Sequence, residues 1–176
     1  MRLAGFADES IVDGPGVRIT IFFQGCKHHC PGCQNPSTWA FNTGYDVSLE
    51  KVDSLIERNA DNTSGVTLSG GDPFCNLDDS LAIADLVKNK YKLNLLAFTG
   101  YTLEEIMSLS KSEPKFYQLL SRLDYLIDGR FIMALRSISI NNRGSRNQRC
   151  IDVKATLKNP GKIVFADKLM DMSFYN

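Results

Sequence analysis

Long apolar runs are missing from this chain of 176 residues. No predominantly apolar stretch approaches the roughly 18 residues needed to cross a bilayer. The first ten residues carry Asp8 and Glu9 where a secretory leader needs an apolar segment, so the expected compartment is the cytoplasm, with no membrane partner. Net charge is missing as well: twenty basic residues face twenty acidic ones. With 43% apolar residues, that balance excludes the disordered class. Low-complexity tracts, internal repeats and linkers are absent. At about 150 residues per domain the length gives one domain, 1–176. Cysteines are few and odd in number, five in all. Three of them, Cys26, Cys30 and Cys33, fall within eight residues, which fits a disulfide framework poorly and a metal site better.

What is present is unevenly spread. Between Gly129 and Lys162 stand Arg130, Arg136, Arg143, Arg146, Arg149, Lys154, Lys158 and Lys162, opposed only by Asp152. The local charge of +7 reads either as a solvated face or as a surface for an anionic partner or ligand. Val17 to Gln24 is β-branched and aromatic and predicts a strand, after an Asp13-Gly14-Pro15-Gly16 turn. Ser48 caps a helix reaching about Asn59, with Leu49, Val52, Leu55 and Ile56 on one face. Gly65 to Leu68 reads as a strand, Asp78 to Lys90 as a helix and Leu93 to Phe98 as a strand. Thr102 and Glu105 have the spacing of a capping box. A further short helix precedes a strand from Asp124 to Ile127. Alternating strands and helices predict an α/β fold around a parallel sheet.

Four unusual loops follow strands in this reading: the cysteine loop, Ser69-Gly70-Gly71-Asp72-Pro73, Thr99-Gly100-Tyr101 and Asp128-Gly129. Ligands of parallel α/β folds bind at the C-terminal strand ends, so the four loops predict one composite site. Cys26-x3-Cys30-x2-Cys33 offers three soft thiolates from one tight loop, suited to an iron–sulfur cluster, zinc or copper(I). A [4Fe–4S] cluster normally takes four cysteines, so three leave one iron open for an exchangeable ligand. Zinc completed by His28 or His29 is the competing reading. Cys75 and Cys150 read as small buried hydrophobes, with Cys75 near enough the expected rim to remain a candidate fourth ligand, and Trp39 and Phe41 read as packing residues.

The cysteine loop resembles the signature of the radical S-adenosylmethionine superfamily. Ile11 to Arg18, Phe22 to Cys26 and Ser69 to Pro73 are similar to the activases of glycyl radical enzymes. More narrowly, Cys30-Pro31-Gly32-Cys33, Thr99-Gly100-Tyr101, Asp128 to Phe131 and Arg143 to Gln148 resemble the activators of the anaerobic ribonucleotide reductase. The similarity spans about Ile11 to Arg149. It departs from many superfamily members at Gly32, where they carry an aromatic residue.

The resemblance implies a partial open (β/α) barrel of the radical SAM type. It implies a [4Fe–4S] cluster on Cys26, Cys30 and Cys33, with S-adenosylmethionine at the open iron. Reductive cleavage would give a 5′-deoxyadenosyl radical, which takes a hydrogen from a glycine Cα of the partner. That partner would be a glycyl radical enzyme, here the anaerobic ribonucleoside-triphosphate reductase, with flavodoxin or ferredoxin as electron donor. Gly70 and Gly71 would let backbone approach the methionine moiety, and Asp72 would bind its ammonium. Gly32, Cys33 and Gln34 would meet adenine through backbone groups. Thr99 and Gly100 would line the site, and Arg143, Ser145 and Asn147 would sit near cofactor or partner. The alternatives are another glycyl radical enzyme, such as pyruvate formate-lyase, or a zinc-stabilised nucleic-acid-binding module. The last lacks interleaved aromatics and a second ligand pair, which makes nucleic acid the weaker partner. The resemblance leaves the N-terminal ten residues and the tail from about 160 to 176 unexplained. Val164, Phe165, Leu169, Met170 and Phe174 make that tail apolar enough to dock on the domain or the partner.

Overall fold

The β-branched run read as the first strand is the second strand of the sheet. In the computed structural model, which describes residues 1–167, a strand precedes it. That strand, β1 (Arg2–Ser10), pairs antiparallel with β2 (Arg18–Phe23) across the Asp13–Gly16 turn. β2 then pairs in parallel with β4 (Gly65–Gly70), β4 with β5 (Leu95–Phe98), and β5 with β6 (Tyr125–Asp128). Two antiparallel strands form the edges: β3 (Tyr45–Asp46) beside β1 and β7 (Arg149–Asp152) beside β6. The order β3-β1-β2-β4-β5-β6-β7 describes one seven-stranded sheet that does not close. The fold is therefore α/β, and the parallel expectation holds for the four central strands.

The connections are helical where the apolar spacing asked for helices. α1 (Leu49–Asn59) starts at Ser48, whose hydroxyl accepts from Lys51 N at 3.3 Å. It buries Val52, Leu55 and Ile56. α2 (Leu77–Asp85) runs on into a π-helical turn, Leu86–Tyr91, and stops at Lys92 in the left-handed region. α3 (Leu103–Leu109) begins with the capping box: Thr102 Oγ1 accepts from Glu105 N, and Glu105 Oε2 from Thr102 N. α4 (Lys115–Arg122) precedes β6, and α5 (Val153–Lys158) follows β7.

Side chains alternate across each strand, so the sheet has two unlike faces. Ile19, Ile21 and Phe23 of β2, Val66 and Leu68 of β4, and Leu95 and Ala97 of β5 share one apolar cluster with the buried residues of the helices. The second cluster, Leu96, Ile127, Cys150 and Ala166, contains no helical residue. Thr20, Thr67 and the Arg18 guanidinium are also buried, on positions that alternate with the helix-facing set. The start of the tail docks back as expected. Asp152 N donates to Val164 O, Ala166 N donates to Cys150 O (both 2.9 Å), and Phe165 bridges Ile151. Leu169, Met170 and Phe174 lie outside the described residues.

Candidate functional site

The cysteine loop leaves the C-terminal end of β2 under tight local control. Gly25 N donates to Thr38 O at 2.8 Å and Cys26 N to Trp39 O at 3.0 Å, so the chain after the cysteines folds back beside the strand end. Gln24, 3% exposed, staples that return. Its Nε2 donates to Ala40 O at 2.7 Å, with Thr43 Oγ1 and Ser37 O also within reach. Within the loop, Cys33 N donates to Cys30 O at 3.0 Å.

Asn35 N donates to Cys33 Sγ at 3.4 Å. The backbone amides of His28 and His29 favour ionisation of Cys26, and that of Phe131 favours ionisation of Cys30. Such donors stabilise bound thiolates and set the potential of iron–sulfur centres. Burial pushes the Cys26 thiol up to about 12 and also raises Cys30. Without a cation the Cys26 thiol keeps its proton, and a metal centre offsets the burial that disfavours its thiolate.

The spacing of the thiols bears on the zinc alternative. Sulfurs on one tetrahedral zinc, with bonds of about 2.3 Å, stand about 3.8 Å apart. Among the described residues the one grouping of possible ligands all within 4.8 Å is His28, Asp72 and Cys75, and it excludes the three cysteines of the loop. The three loop thiols are thus not gathered as closely as ligands of one tetrahedral ion. Neither histidine joins them: the His29 ring stacks on Trp39, at 4.9 Å between centroids, and the His28 side chain is buried against Asp72.

All four strand-end loops meet. A recess of about 100 Å³ is lined by Cys26, Cys30 and Cys33, by Ser69 to Asp72, by Phe98 to Gly100, and by Gly129. Two wider recesses adjoin it through Phe131. One, of about 510 Å³, holds Arg130, Asn147 and Arg149, and the other, of about 430 Å³, holds Gln34, Arg143 and Gln148. Volumes in the range of about 300–1,000 Å³ suit small-molecule ligands. A larger apolar cleft, about 660 Å³ between α3, α4 and α5, offers no thiol or imidazole.

The rim residues divide by what they touch. Gly32 (φ +75°) lies under Met133, and Gly70 (φ +91°) faces the Phe22–Phe23 backbone, where a Cβ would stand 2.5 Å from Phe23 N. A Cβ on Gly71 would stand 2.4 Å from Gly25 O. Both strand-end glycines are thus already required by the packing of β4 on the β2 end. Asp72 is 1% exposed and its oxygens accept from Phe74 N (2.8 Å), Thr99 Oγ1 (2.9 Å) and Gly100 N (2.9 Å). Three donors thus occupy most of the roughly four acceptor positions of this carboxylate. Ser145 is fully buried and its hydroxyl accepts from Ile132 N, while Asn147 Nδ2 donates to Arg130 O. Arg143 pairs with Asp167 at 2.8 Å at the edge of the Gln34 recess. The basic segment is thus partly neutralised: Arg149 bridges Glu104 and the buried Asp128, and Arg130 meets Glu105.

With this geometry in view, comparison with known proteins is decisive. Residues 12–151 match the family described as "4Fe-4S single cluster domain". The anaerobic ribonucleoside-triphosphate reductase-activating protein of Salmonella typhi is 35% identical over 154 residues, 84% of this chain and 96% of its own. Its namesake in Vibrio cholerae is 37% identical over 144 residues, 78% and 89% of the two chains.

The chain belongs to this family of reductase-activating proteins.

A member from bacteriophage T4 is 33% identical over 78% of this chain and 85% of its own. Among solved structures, QueE from Escherichia coli aligns over 57% of this chain and 53% of its own, at 21% identity and a TM-score of 0.44. The match to the 4Fe-4S single cluster domain begins at Val12 and ends at Ile151, inside β7, so β1 and α5 lie outside it. Among the described residues no helix is long and apolar enough to cross a membrane.

Proposed function

We propose that this chain activates an anaerobic ribonucleoside-triphosphate reductase by installing its glycyl radical. One observation carries the reading: three thiols of one tight loop open into the recess where four strand-end loops converge. The names of relatives matched over most of both chains supply the partner class. In this reading 1–176 is a single radical SAM domain. The helices on one face and the buried Thr20, Thr67 and Arg18 among the opposite positions support a sheet curved as a partial open (β/α) barrel.

Cys26, Cys30 and Cys33 would hold the [4Fe–4S] cluster and leave one iron free. When bound and reduced, the cluster supplies the electron that cleaves S-adenosylmethionine to methionine and the 5′-deoxyadenosyl radical. The chain's own residues orient and shield. Gly32, Cys33 and Gln34 present backbone to the adenine side, where Gln34 lines the 430 Å³ recess. Ser69, Gly70 and Gly71 form the floor of the smaller recess, with Phe98 and Phe131 as apolar walls that keep water out. The exposed Ile132, Met133 and Ile138 beside the recesses suit contact with the partner's glycine loop. Flavodoxin or ferredoxin would supply the electron.

The test is anaerobic reconstitution with iron and sulfide, followed by S-adenosylmethionine, dithionite and the reductase. We expect 5′-deoxyadenosine by chromatography and a glycyl-radical resonance on the reductase, both lost in Cys30→Ala. A fully loaded cluster that yields neither product with the reductase present would refute the reading. So would zinc retained in place of iron.

A further inference from the structure

His28 sits in the middle of the cysteine loop between exposed neighbours, Lys27 and His29, yet its own side chain is only 5% exposed. The ring is turned inward onto the two neighbouring strand-end loops. Its Nε2 stands 2.9 Å from Asp72 Oδ2, close enough for an ion pair but off the line of an N–H···O bond. One side rests on Gly100: a Cβ there would lie 2.3 Å from His28 Cδ2. The other contact is Tyr101, edge-on at 4.5 Å between centroids. Asp72 is in turn fixed by Thr99 Oγ1, Gly100 N and Phe74 N. Thr99 is oriented for this task, because its hydroxyl accepts Tyr101 N at 3.1 Å and so turns its proton to the carboxylate.

We propose that Asp72, His28, Thr99 and Gly100 form a buried clasp that sets the position of the cysteine loop, and that Asp72 acts as a positioning residue. This deepens the proposed function, because it moves Asp72 from ligand of the cosubstrate ammonium to support for the loop that holds the cluster. Two independent features carry it. The carboxylate is aimed at the β5 loop and His28, with its acceptor sites used there. Gly100, read from the sequence as lining the ligand, has its missing Cβ direction filled by His28.

The clasp exists in the cluster-free chain, so it can be tested there first. Hydrogen exchange of the Lys27–Cys30 amides, read by mass spectrometry, should speed up about tenfold in Asp72→Asn, the change expected from losing one net hydrogen bond. His28→Gln, which takes the ring off Gly100 and Asp72, should also speed exchange, and the double variant should add little, since both open the same clasp. Thr99→Val, nearly the same shape, should behave alike, and Thr99→Ser should restore slow exchange. In the loaded protein, Asp72→Asn and His28→Gln should both alter the resonance of the reduced cluster before S-adenosylmethionine is added. Unchanged exchange in Asp72→Asn and Thr99→Val would overturn the proposal. So would an Asp72→Asn variant whose only defect is weaker S-adenosylmethionine binding, with His28→Gln normal. Failure of the activase reading leaves the exchange experiment untouched, so the two can fail separately.

Discussion

Arg18 gives the sharpest test of how this sheet is held together. It opens β2 at the end opposite the cysteine loop, is 1% exposed, and has no carboxylate within ion-pair distance among the described residues. Its partners are neutral: Nε donates to Thr67 Oγ1 at 2.7 Å, Nη2 to Val66 O at 2.8 Å and Asn94 Oδ1 at 3.0 Å, and Nη1 reaches Pro15 O at 3.5 Å. Burial lowers its affinity for a proton to about 10, against weaker opposing help from Asp124. Consider Arg18→Met, similar in reach and uncharged. Three short hydrogen bonds from a charged donor, worth about 1.5–3 kcal/mol each, disappear with the long one to Pro15 O. The desolvation of a buried cation, several kcal/mol, disappears with them. What remains is the cost of stranded acceptors. Thr67 keeps Asp13 O as its acceptor partner and Asn94 is half-exposed, so Val66 O and Thr67 Oγ1 bear most of it. At about 1–3 kcal/mol for Val66 O and about 1 kcal/mol for Thr67 Oγ1, which keeps a partner, the loss should be about 2–4 kcal/mol. A domain has about 5–15 kcal/mol in all, so the variant should fold and be weak. Urea unfolding of the cluster-free chain under reducing conditions is the assay. With a slope of about 2 kcal/mol per molar, the midpoint should fall by about 1–2 M. A fall corresponding to less than about 1 kcal/mol would show that desolvation cancels the hydrogen bonds and would refute the reasoning. Iron uptake by the folded fraction should be normal, because the rim lies at the other strand end.

Three further outcomes follow from the same geometry. Gly71→Ala places a methyl against the Gly25 carbonyl, which is backbone and cannot swing aside; we expect a loss of about 1–3 kcal/mol, hence a melting temperature lower by at least about 2 °C, and an unchanged value would mean that the β4 end has room to move. Cys75, a thiol raised to about 11 by burial, lies beside His28 and Asp72 rather than with the loop thiols; Cys75→Ala should keep the iron content that Cys33→Ala loses, as measured by metal analysis. The Arg149 hydrogen bond holds Glu104 down to about 2 from 4.5, so its contribution is present above the ordinary carboxylate range and lost as pH falls from about 4.5 toward 2. Because Glu104 is 61% exposed, screening limits this to about 1 kcal/mol or less. Urea midpoints of wild type and Glu104→Gln should therefore converge between pH 5 and pH 3, and a constant gap would sink the assignment.

The sequence showed the parallel core because its strands bury both faces and its helices carry one apolar stripe and a cap. Ser48, Thr102 and Glu105 were readable for that reason. β1 was not, because Gly5, Asp8 and Glu9 dilute a strand whose apolar residues sit on one face of a hairpin. β7 was hidden inside the basic segment: Arg149 and Asp152 flank only Cys150 and Ile151, and β pairing with β6 makes the strand. The basic segment itself read as a field of charge. In the folded chain Arg130, Arg143 and Arg149 each find a carboxylate distant in sequence, which no local count reveals.

At the site, composition told which loops matter but not which way their side chains point. Three thiols in eight residues are a signal of residue type, and the fold only had to bring N–H groups to them. Asp72 was a different case. A carboxylate after two glycines at a strand end is chemically suited to bind an ammonium, and nothing local contradicts that. In the folded chain it meets Thr99, Gly100 and His28, from 27, 28 and 44 positions away, and the proposed clasp rests on these contacts. Gly100 shows the same lesson from the other side: absence of a side chain reads as access for a ligand until the ring that fills the space is seen. A glycine at a strand end therefore reports that something approaches closely there. Only the fold tells whether that something is a ligand or the protein itself, and here the Gly100 approach is made by the loop that carries the cysteines.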